Sequence, residues 1–363
     1  MRWSRLYQGL STGSISFVSA KFSGFASHCN SPSSEDSVAS VSTYPANNPS
    51  EDRCISWHNS TSTASVVGVF DGHGGAQCAN YCQQNILPIL ERSSILDENF
   101  DISDIETQRR VVSCFQELED GYLKSIKDAY KLGFGKVSSV GCCALIAVRK
   151  GQDLLIANCG DCRAVLAKKI TQDDGNSFRA ITCTNDHNCR RPFEQIKLRM
   201  QHPGENDVYV CKPNNPNACY VKKRLQLTRS IGDAYLKYPE FNAPAGLHRS
   251  SGRHIPEPYT PPYVSHVPEL HYIKLSEEDK FLILATDGVW DFLTDKLAVE
   301  IVASCDEHSK AASILVEKTL ETAALENGIT IDELKEIPVG SSRRQRHDDT
   351  SVVILNLAST STS

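Results

Sequence analysis

The sequence predicts an α+β fold with layered sheets, on three observations. Strand-sized apolar runs crowd the middle of the chain, helical periodicity clusters early and late, and no regular strand–helix alternation runs through it. In order, residues 65–70 (SVVGVF) form a short apolar strand that ends in the turn-rich Asp71-Gly-His-Gly-Gly75. Residues 76–94 look helical, with Cys78, Tyr81, Ile86, Ile89 and Leu90 as the apolar set. In residues 108–131, Val111, Phe115, Leu118, Tyr122, Ile126 and Ala129 recur at steps that line one helical face. Strands follow at 141–148, 154–157 and 163–167, the last two joined by a turn over 158–162. Weaker strands are expected at 208–210, 226–227 and 272–274, and a strong one at 281–285. Helices over 295–304 and 310–325 and a strand over 351–357 complete the set.

Length and composition bound the function classes. A chain of 363 residues, 40% hydrophobic and 23% charged, is globular and long enough for one large core. A net charge of −6 gives no reason to expect a nucleic-acid partner. No apolar run approaches the roughly 18 residues of a membrane span. The 14 cysteines are expected to be reduced and buried, since two of them, Cys142 and Cys143, lie inside an apolar strand and the chain has a full hydrophobic complement. The Cys159-Gly-Asp-Cys162 spacing is taken as a tight turn, since no second pair follows at zinc-site spacing.

Residues 1–34 contain no Asp or Glu, and they spread Arg2, Arg5 and Lys21 among serines and scattered apolar residues. That composition suggests a disordered extension that serves either as a mitochondrial transit peptide or as an untargeted tail on a cytoplasmic or nuclear protein. Residues 35–357 are expected to form one domain, with insertions at about 238–268 and 327–346, and 358–363 a disordered tail. The second insertion ends in the basic run Arg343-Arg344-Gln-Arg346, next to an acidic pair.

Three carboxylates share one grammar. Asp71 and Asp287 each follow an apolar strand and precede a glycine, and Asp348 stands just before the last strand. Charges against such buried runs repel one another unless a cation neutralises them, and no basic residue adjoins Asp71 or Asp287 in sequence. Short carboxylates without a thiol or imidazole cluster suit Mg²⁺ or Mn²⁺. Gly72 and Gly288 allow close backbone approach, so that a carbonyl can serve as a ligand. Glu51 and Asp52 add upstream carboxylates. Such a cluster supports two ions about 3.5–4 Å apart, bridged by Asp71, that activate a water for in-line attack on a phosphate ester.

Val67-Gly-Val-Phe-Asp71-Gly-His-Gly-Gly75 resembles the signature of the metal-dependent type 2C Ser/Thr protein phosphatases. The resemblance continues in Ala157-Asn-Cys-Gly-Asp161-Cys-Arg163-Ala-Val165, Thr184-Asn-Asp186-His187 and Leu227-Thr-Arg-Ser-Ile-Gly232-Asp233. It recurs in Ala285-Thr-Asp287-Gly-Val-Trp290-Asp291 and His347-Asp348-Asp349-Thr-Ser-Val352. It implies a layered α-β-β-α sandwich, with a central pair of antiparallel sheets flanked by helices. It makes Asp71 the bridging ligand, Gly72 a carbonyl ligand, Asp287 and Asp348 the remainder of one metal site, and Glu51 with Asp52 the shell of the other. His73 becomes the general acid, and Asp161 and Asp291 a weaker third-metal position. Within the family, the segment from Tyr44 to Arg53, Thr260-Pro-Pro-Tyr263 and the extended stretch before His347 are similar to mitochondrial pyruvate dehydrogenase phosphatases. That implies the phosphorylated E1 subunit as substrate and the E2 scaffold as docking partner, in the matrix. A group of plant type 2C enzymes shares the style of residues 230–236.

Asn47 stands where many of these enzymes place a phosphate-binding arginine, Gly141-Cys142-Cys143-Ala144 replaces a small hydroxyl pair, and Asp349 replaces a frequent Asn. Arg343, Arg344 and Arg346 are expected to attract a phosphorylated or acidic partner. The expected activity is hydrolysis of phosphoserine or phosphothreonine with no covalent intermediate. The alternatives are a type 2C enzyme for signalling phosphoproteins and a pseudophosphatase binding module. A nucleotide fold is excluded, because Gln77 stands where the third glycine of a dinucleotide fingerprint belongs.

Overall fold

The computed structural model describes residues 38–59, 64–97, 100–172, 175–242 and 254–358; the acid-free extension and residues 359–363 lie outside them. Side-chain alternation along the strands sets the layers. In β3 (Ala64–His73), Val66 and Phe70 face a core shared with helices, while Val67 and Val69 face the space between two sheets. A strand covered on both faces has no polar side, which is why it reads as an unbroken apolar run.

One sheet runs in the order β11-β5-β4-β3-β2, with the two-residue β10 (Ile231–Gly232) pairing with β4. Its members are β2 (Arg53–Asn59), β4 (Gly141–Lys150), β5 (Asp153–Cys159) and β11 (Glu269–Lys274) around β3. The other sheet runs β1-β13-β12-β6-β7, from β1 (Ala39–Tyr44), β6 (Arg163–Gln172), β7 (Gly175–Thr182), β12 (Asp279–Ala285) and β13 (Thr350–Asn356). All pairings within the two sheets are antiparallel. Helices α1 (Gln77–Arg92) and α2 (Ile105–Lys131) cover the first sheet, and α5 (Asp295–Ala303) and α6 (Ala311–Glu326) cover the second. The result is the expected α-β-β-α sandwich.

Local chemistry starts the helices. Asp104 caps α2 by accepting from the Glu106 amide, and Thr294 caps α5 by accepting from Leu297. A smaller apolar cluster brings α3 (Pro192–Gln201) and the hairpin of β8 (Tyr209–Lys212) and β9 (Asn215–Val221) together with Tyr235, Tyr263 and Val264. Between β12 and α5 lies the one-turn α4 (Asp287–Trp290), and after α6 come α7 (Ile331–Glu336) and α8 (Ser341–Arg344).

Several expectations change. β3 does not stop at Phe70 but runs to His73, because Asp71, Gly72 and His73 stay in register with Cys143, Cys142 and Gly141. The strand expected at 226–227 is only an isolated bridge between Leu227 and Asn188. The cysteines are not all free: Cys211 and Cys219 face each other across the β8–β9 hairpin and form a disulfide. The other eleven described cysteines lie outside any disulfide, and all but Cys305 are buried. The 158–162 turn is as expected, with Gly160 at φ +135°.

A buried ion pair ties α2 to the segment after β10. Glu119 accepts from Lys237 Nζ at 2.9 Å and from the Gly232 amide at 2.8 Å, and Lys237 also donates to the Ser230 carbonyl. Removing one partner alone would strand a buried charge, a loss on the order of 3–5 kcal/mol.

Candidate metal centre

The site forms where the layer between the sheets runs out of apolar residues. Asp71 lies two residues beyond Val69 on the same face of β3, so parity aims it between the sheets. β12 delivers Asp287, the first residue of α4. The β5–β6 turn delivers Asp161, whose Oδ2 accepts from Asn188 Nδ2 at 2.8 Å. Carboxylate oxygens of Asp71, Asp161 and Asp287 lie within 4.8 Å of one another. Asp52, just before β2, is buried beside them and accepts from Thr286 Oγ1 at 3.0 Å.

The electrostatics are one-sided. Burial, then Asp287 and Asp52, push the Asp71 carboxyl well above its ordinary range. Burial, then Asp161 and Asp348, do the same to Asp287. Burial, then Asp349, push Asp52 up to about 8. Among the described residues, no Lys or Arg forms an ion pair with Asp71, Asp161, Asp287 or Asp52. An all-oxygen, uncompensated donor set of this kind fits a hard divalent cation.

The two glycines serve a closer purpose than expected. A Cβ on Gly72 would lie 2.6 Å from the Glu51 carbonyl oxygen, and one on Gly288 would strike the Asp349 carbonyl. Each glycine therefore lets a flanking acidic segment dock against a strand end, and the Gly72 amide donates to the Glu51 carbonyl at 3.2 Å.

Asp349 fastens the 46–51 loop. Its Oδ1 accepts from the Ala46 and Asn47 amides at 2.6 and 2.8 Å, and its Oδ2 from the Glu51 amide at 2.6 Å. An Asn there would present a donor to one of these N–H groups, so the acid is required by this loop. Asn47 is spent in the same network, donating to Asp348 and Asp349.

His73 sits at the rim with its side chain about a quarter exposed, and its Nε2 bonds Asp233 Oδ2 at 2.8 Å. Burial opposes its charge, but Asp233 outweighs burial and raises the His73 pKa. Asp233, 1% exposed, is held in turn by Ser230 Oγ at 2.7 Å, and its own pKa is lowered by His73 against the effect of burial.

The structure groups the expected residues differently from the sequence. Asp161, expected at an outlying position, stands with Asp71 and Asp287. Asp348 is instead ion-paired to Arg344 and accepts from the Asp349 amide. Asp291 is half-exposed, with Arg190 at 4.0 Å. Glu51 is half-buried, and burial raises its pKa. The expectation that all three arginines of the basic run face a partner is corrected: Arg343 is buried, donates to the Lys335, Ile337 and Pro45 carbonyls and stacks on Tyr44. Arg344 and Arg346 remain exposed. Asp233 and the anchoring role of Asp349 escaped the sequence reading, although both lie inside quoted motifs.

Residues 34–328 match the family described as Protein phosphatase 2C. "Probable protein phosphatase 2C 67" of Arabidopsis thaliana is 33% identical over 325 residues, spanning 88% of this chain and 82% of that one. "Probable protein phosphatase 2C 78" of Oryza sativa subsp. japonica is 34% identical over 294 residues, spanning 81% and 71%. Among solved structures, a serine-threonine phosphatase 2C from Toxoplasma gondii superposes with a TM-score of 0.61 at 18% identity, over 88% of this chain and 94% of that one. A C. elegans sex determining protein gives 0.60 at 17%, over 88% and 64%. At such identity the solved structures speak for the fold alone.

The raised carboxyls make metal-free stability pH-dependent. Asp52, raised from 3.8 to about 8, and Asp348, raised from 3.8 to about 6, hold protons that the unfolded chain releases. Their contribution is full below the unfolded pKa and is lost as pH rises through about 6 and then about 8. The Tm of chelator-treated protein is expected to fall across that window, and saturating Mn²⁺ to remove the fall. A chelated protein with the same profile as the Mn²⁺ form would contradict this.

Proposed function

The chain belongs to the protein phosphatase 2C family and is a metal-dependent protein serine/threonine phosphatase, and from that premise we propose how its own residues share the reaction. The observation that carries the assignment is the set of Asp71, Asp161 and Asp287, half-buried to buried, converging with no basic partner among the described residues. Asp71 would bridge two Mg²⁺ or Mn²⁺ ions, with the Gly72 carbonyl, Asp287 and Asp348 on one side and Glu51 with Asp52 on the other. Asp161 and Asp291 would form a third position, and the closeness of Asp161 to Asp71 and Asp287 draws it toward the main pair. When bound, the ions supply the positive charge that keeps these carboxylates ionised and activate a water toward phosphorus.

His73 acts on the leaving group. With Nε2 committed to Asp233, Nδ1 carries the proton handed to the departing serine or threonine oxygen. Asp233 orients the ring and, against burial, raises its pKa, which favours the protonated form that a general acid requires. Arg344 stands at the mouth, near enough to Asp348, Asp291 and Glu51 for its charge to offset part of the rise that burial imposes on their pKa values. With Asn47 in the arginine's place, the exposed Arg344 at the mouth, with Arg346 exposed two residues on, would draw in a phosphorylated segment.

The finer substrate reading is the phosphorylated E1 subunit of the pyruvate dehydrogenase complex, with E2 docking, in the mitochondrial matrix. Its support is the 44–53 segment, Asn47 and the acid-free extension. The plant relatives carry no such substrate in their names. A signalling phosphoprotein is the alternative.

Asp287→Asn is expected to abolish Mn²⁺-dependent hydrolysis of a phosphothreonine peptide, and undiminished turnover in excess chelator would overturn the metal-dependent reading. His73→Gln should slow the peptide by about 10²–10⁴-fold while sparing an aryl phosphate, whose leaving group needs no proton. Arg344→Ala should weaken kcat/KM for a phosphoprotein more than for an aryl phosphate, and equal losses would remove Arg344 from substrate binding. The N-terminus of the mature protein, sequenced from isolated mitochondria, decides the localisation: an intact Met1 and absence from mitochondria would exclude the E1 reading.

A further inference from the structure

Two thiols project into the same space as the carboxylates. Cys143 lies opposite Asp71 in the β3–β4 register, and Cys162 follows Asp161 in the β5–β6 turn. They are 2% and 0% exposed. Donor atoms of Asp71, Cys143 and Cys162 all fall within 4.8 Å of one another. Cys143 Sγ donates to Asp161 Oδ1 at 3.3 Å. The turn is folded hard onto this sulfur: a Cβ on Gly160 would lie 2.5 Å from Cys143 Sγ. Cys78, Cys82 and Cys142, in contrast, lie on the helix-facing side of the sheet within its apolar core.

Sulfur alters which ions the pocket can hold. Tetrahedral zinc takes Zn–S at about 2.3 Å and Zn–O at about 2.0–2.2 Å, which sets neighbouring donors roughly 3.5–3.8 Å apart. The observed donors, all within 4.8 Å of one another, would close by up to about 1.3 Å to reach that spacing. Three protein donors, with the Asp161 carboxylate next to Cys143, make a nearly complete first sphere for a thiophilic ion.

We propose that Asp71, Cys143 and Cys162 form a second metal site that takes Zn²⁺ or Cd²⁺ and, by claiming Asp71, opposes the Mg²⁺ or Mn²⁺ of the phosphatase centre. Binding makes two metal–sulfur bonds and one metal–carboxylate bond, releases both thiol protons to solvent and changes no oxidation state. Soft and hard ions then exclude each other through one shared carboxylate. The inhibitory consequence rests on the phosphatase reading; the site itself does not.

The test titrates the full, chelator-stripped chain with Cd²⁺ alone and follows the ultraviolet thiolate-to-cadmium charge-transfer band. The wild type is expected to develop the band, and Cys143→Ala and Cys162→Ala each to lose a large part of it. The Zn²⁺ concentration that halves Mn²⁺-supported turnover should rise about tenfold or more in either variant. Undiminished band and undiminished zinc sensitivity in both variants would overturn the proposal. Cadmium-113 NMR of the wild type keeps the question open to test if a variant fails to fold: a sulfur-shifted resonance that Zn²⁺ displaces supports the site, and an all-oxygen resonance refutes it. Should the chain show no turnover at all, the cadmium signals still decide, so the two readings fail separately.

Discussion

Repulsion among buried carboxylates is the constraint to which the rest of the molecule answers. Asp71, Asp161 and Asp287 crowd together at the end of the inter-sheet layer, and Asp52 raises the pKa of both Asp71 and Asp287. Left to themselves, charges at this depth would protonate or push the sheets apart. They are tolerable together because each belongs to a rigid strand end or a pinned turn, and because a divalent cation can sit among them.

Holding them falls to residues that never touch the reaction. Asp349 ties the 46–51 loop to the start of β13, across about three hundred residues of sequence, with amide bonds on both carboxylate oxygens. Thr286 bridges Asp52 and the Ser351 amide. Gly72 and Gly288 remove the side chains that would keep those segments apart. On the opposite flank, Glu119 and Lys237 fix the segment that carries Asp233, and Asp233 fixes His73. Around His73 the charged groups are paired and position the site, while Asp71, Asp161 and Asp287 have no basic partner among the described residues.

The legible elements were those whose signal is local. α2 shows its stripe of apolar residues, and β3, β4 and β12 are apolar through their central residues because both faces are covered there. Among the elements missed were α3, β9 and α7, and also β1, β2 and β7, whose polar and apolar residues mix as they do on strands at a sheet edge. The extension of β3 to His73 was hidden because Asp-Gly-His-Gly reads as a turn, and only its pairing with β4 keeps it extended. Arg343 could not be told from Arg344 by composition. One turns inward to carbonyl groups and the other outward to Asp348, a choice made by the one-turn helix that carries both.

By itself the sequence determined the chemistry of this centre: short acids at the ends of apolar runs must be neutralised by something, and no adjacent base offers to do it. Only the tertiary structure decided which acids share the space. Asp161 joins Asp71 and Asp287 while Asp348 takes an arginine, and two cysteines enter the pocket, because strand register and turn conformation set ångström distances that spacing along the chain does not encode.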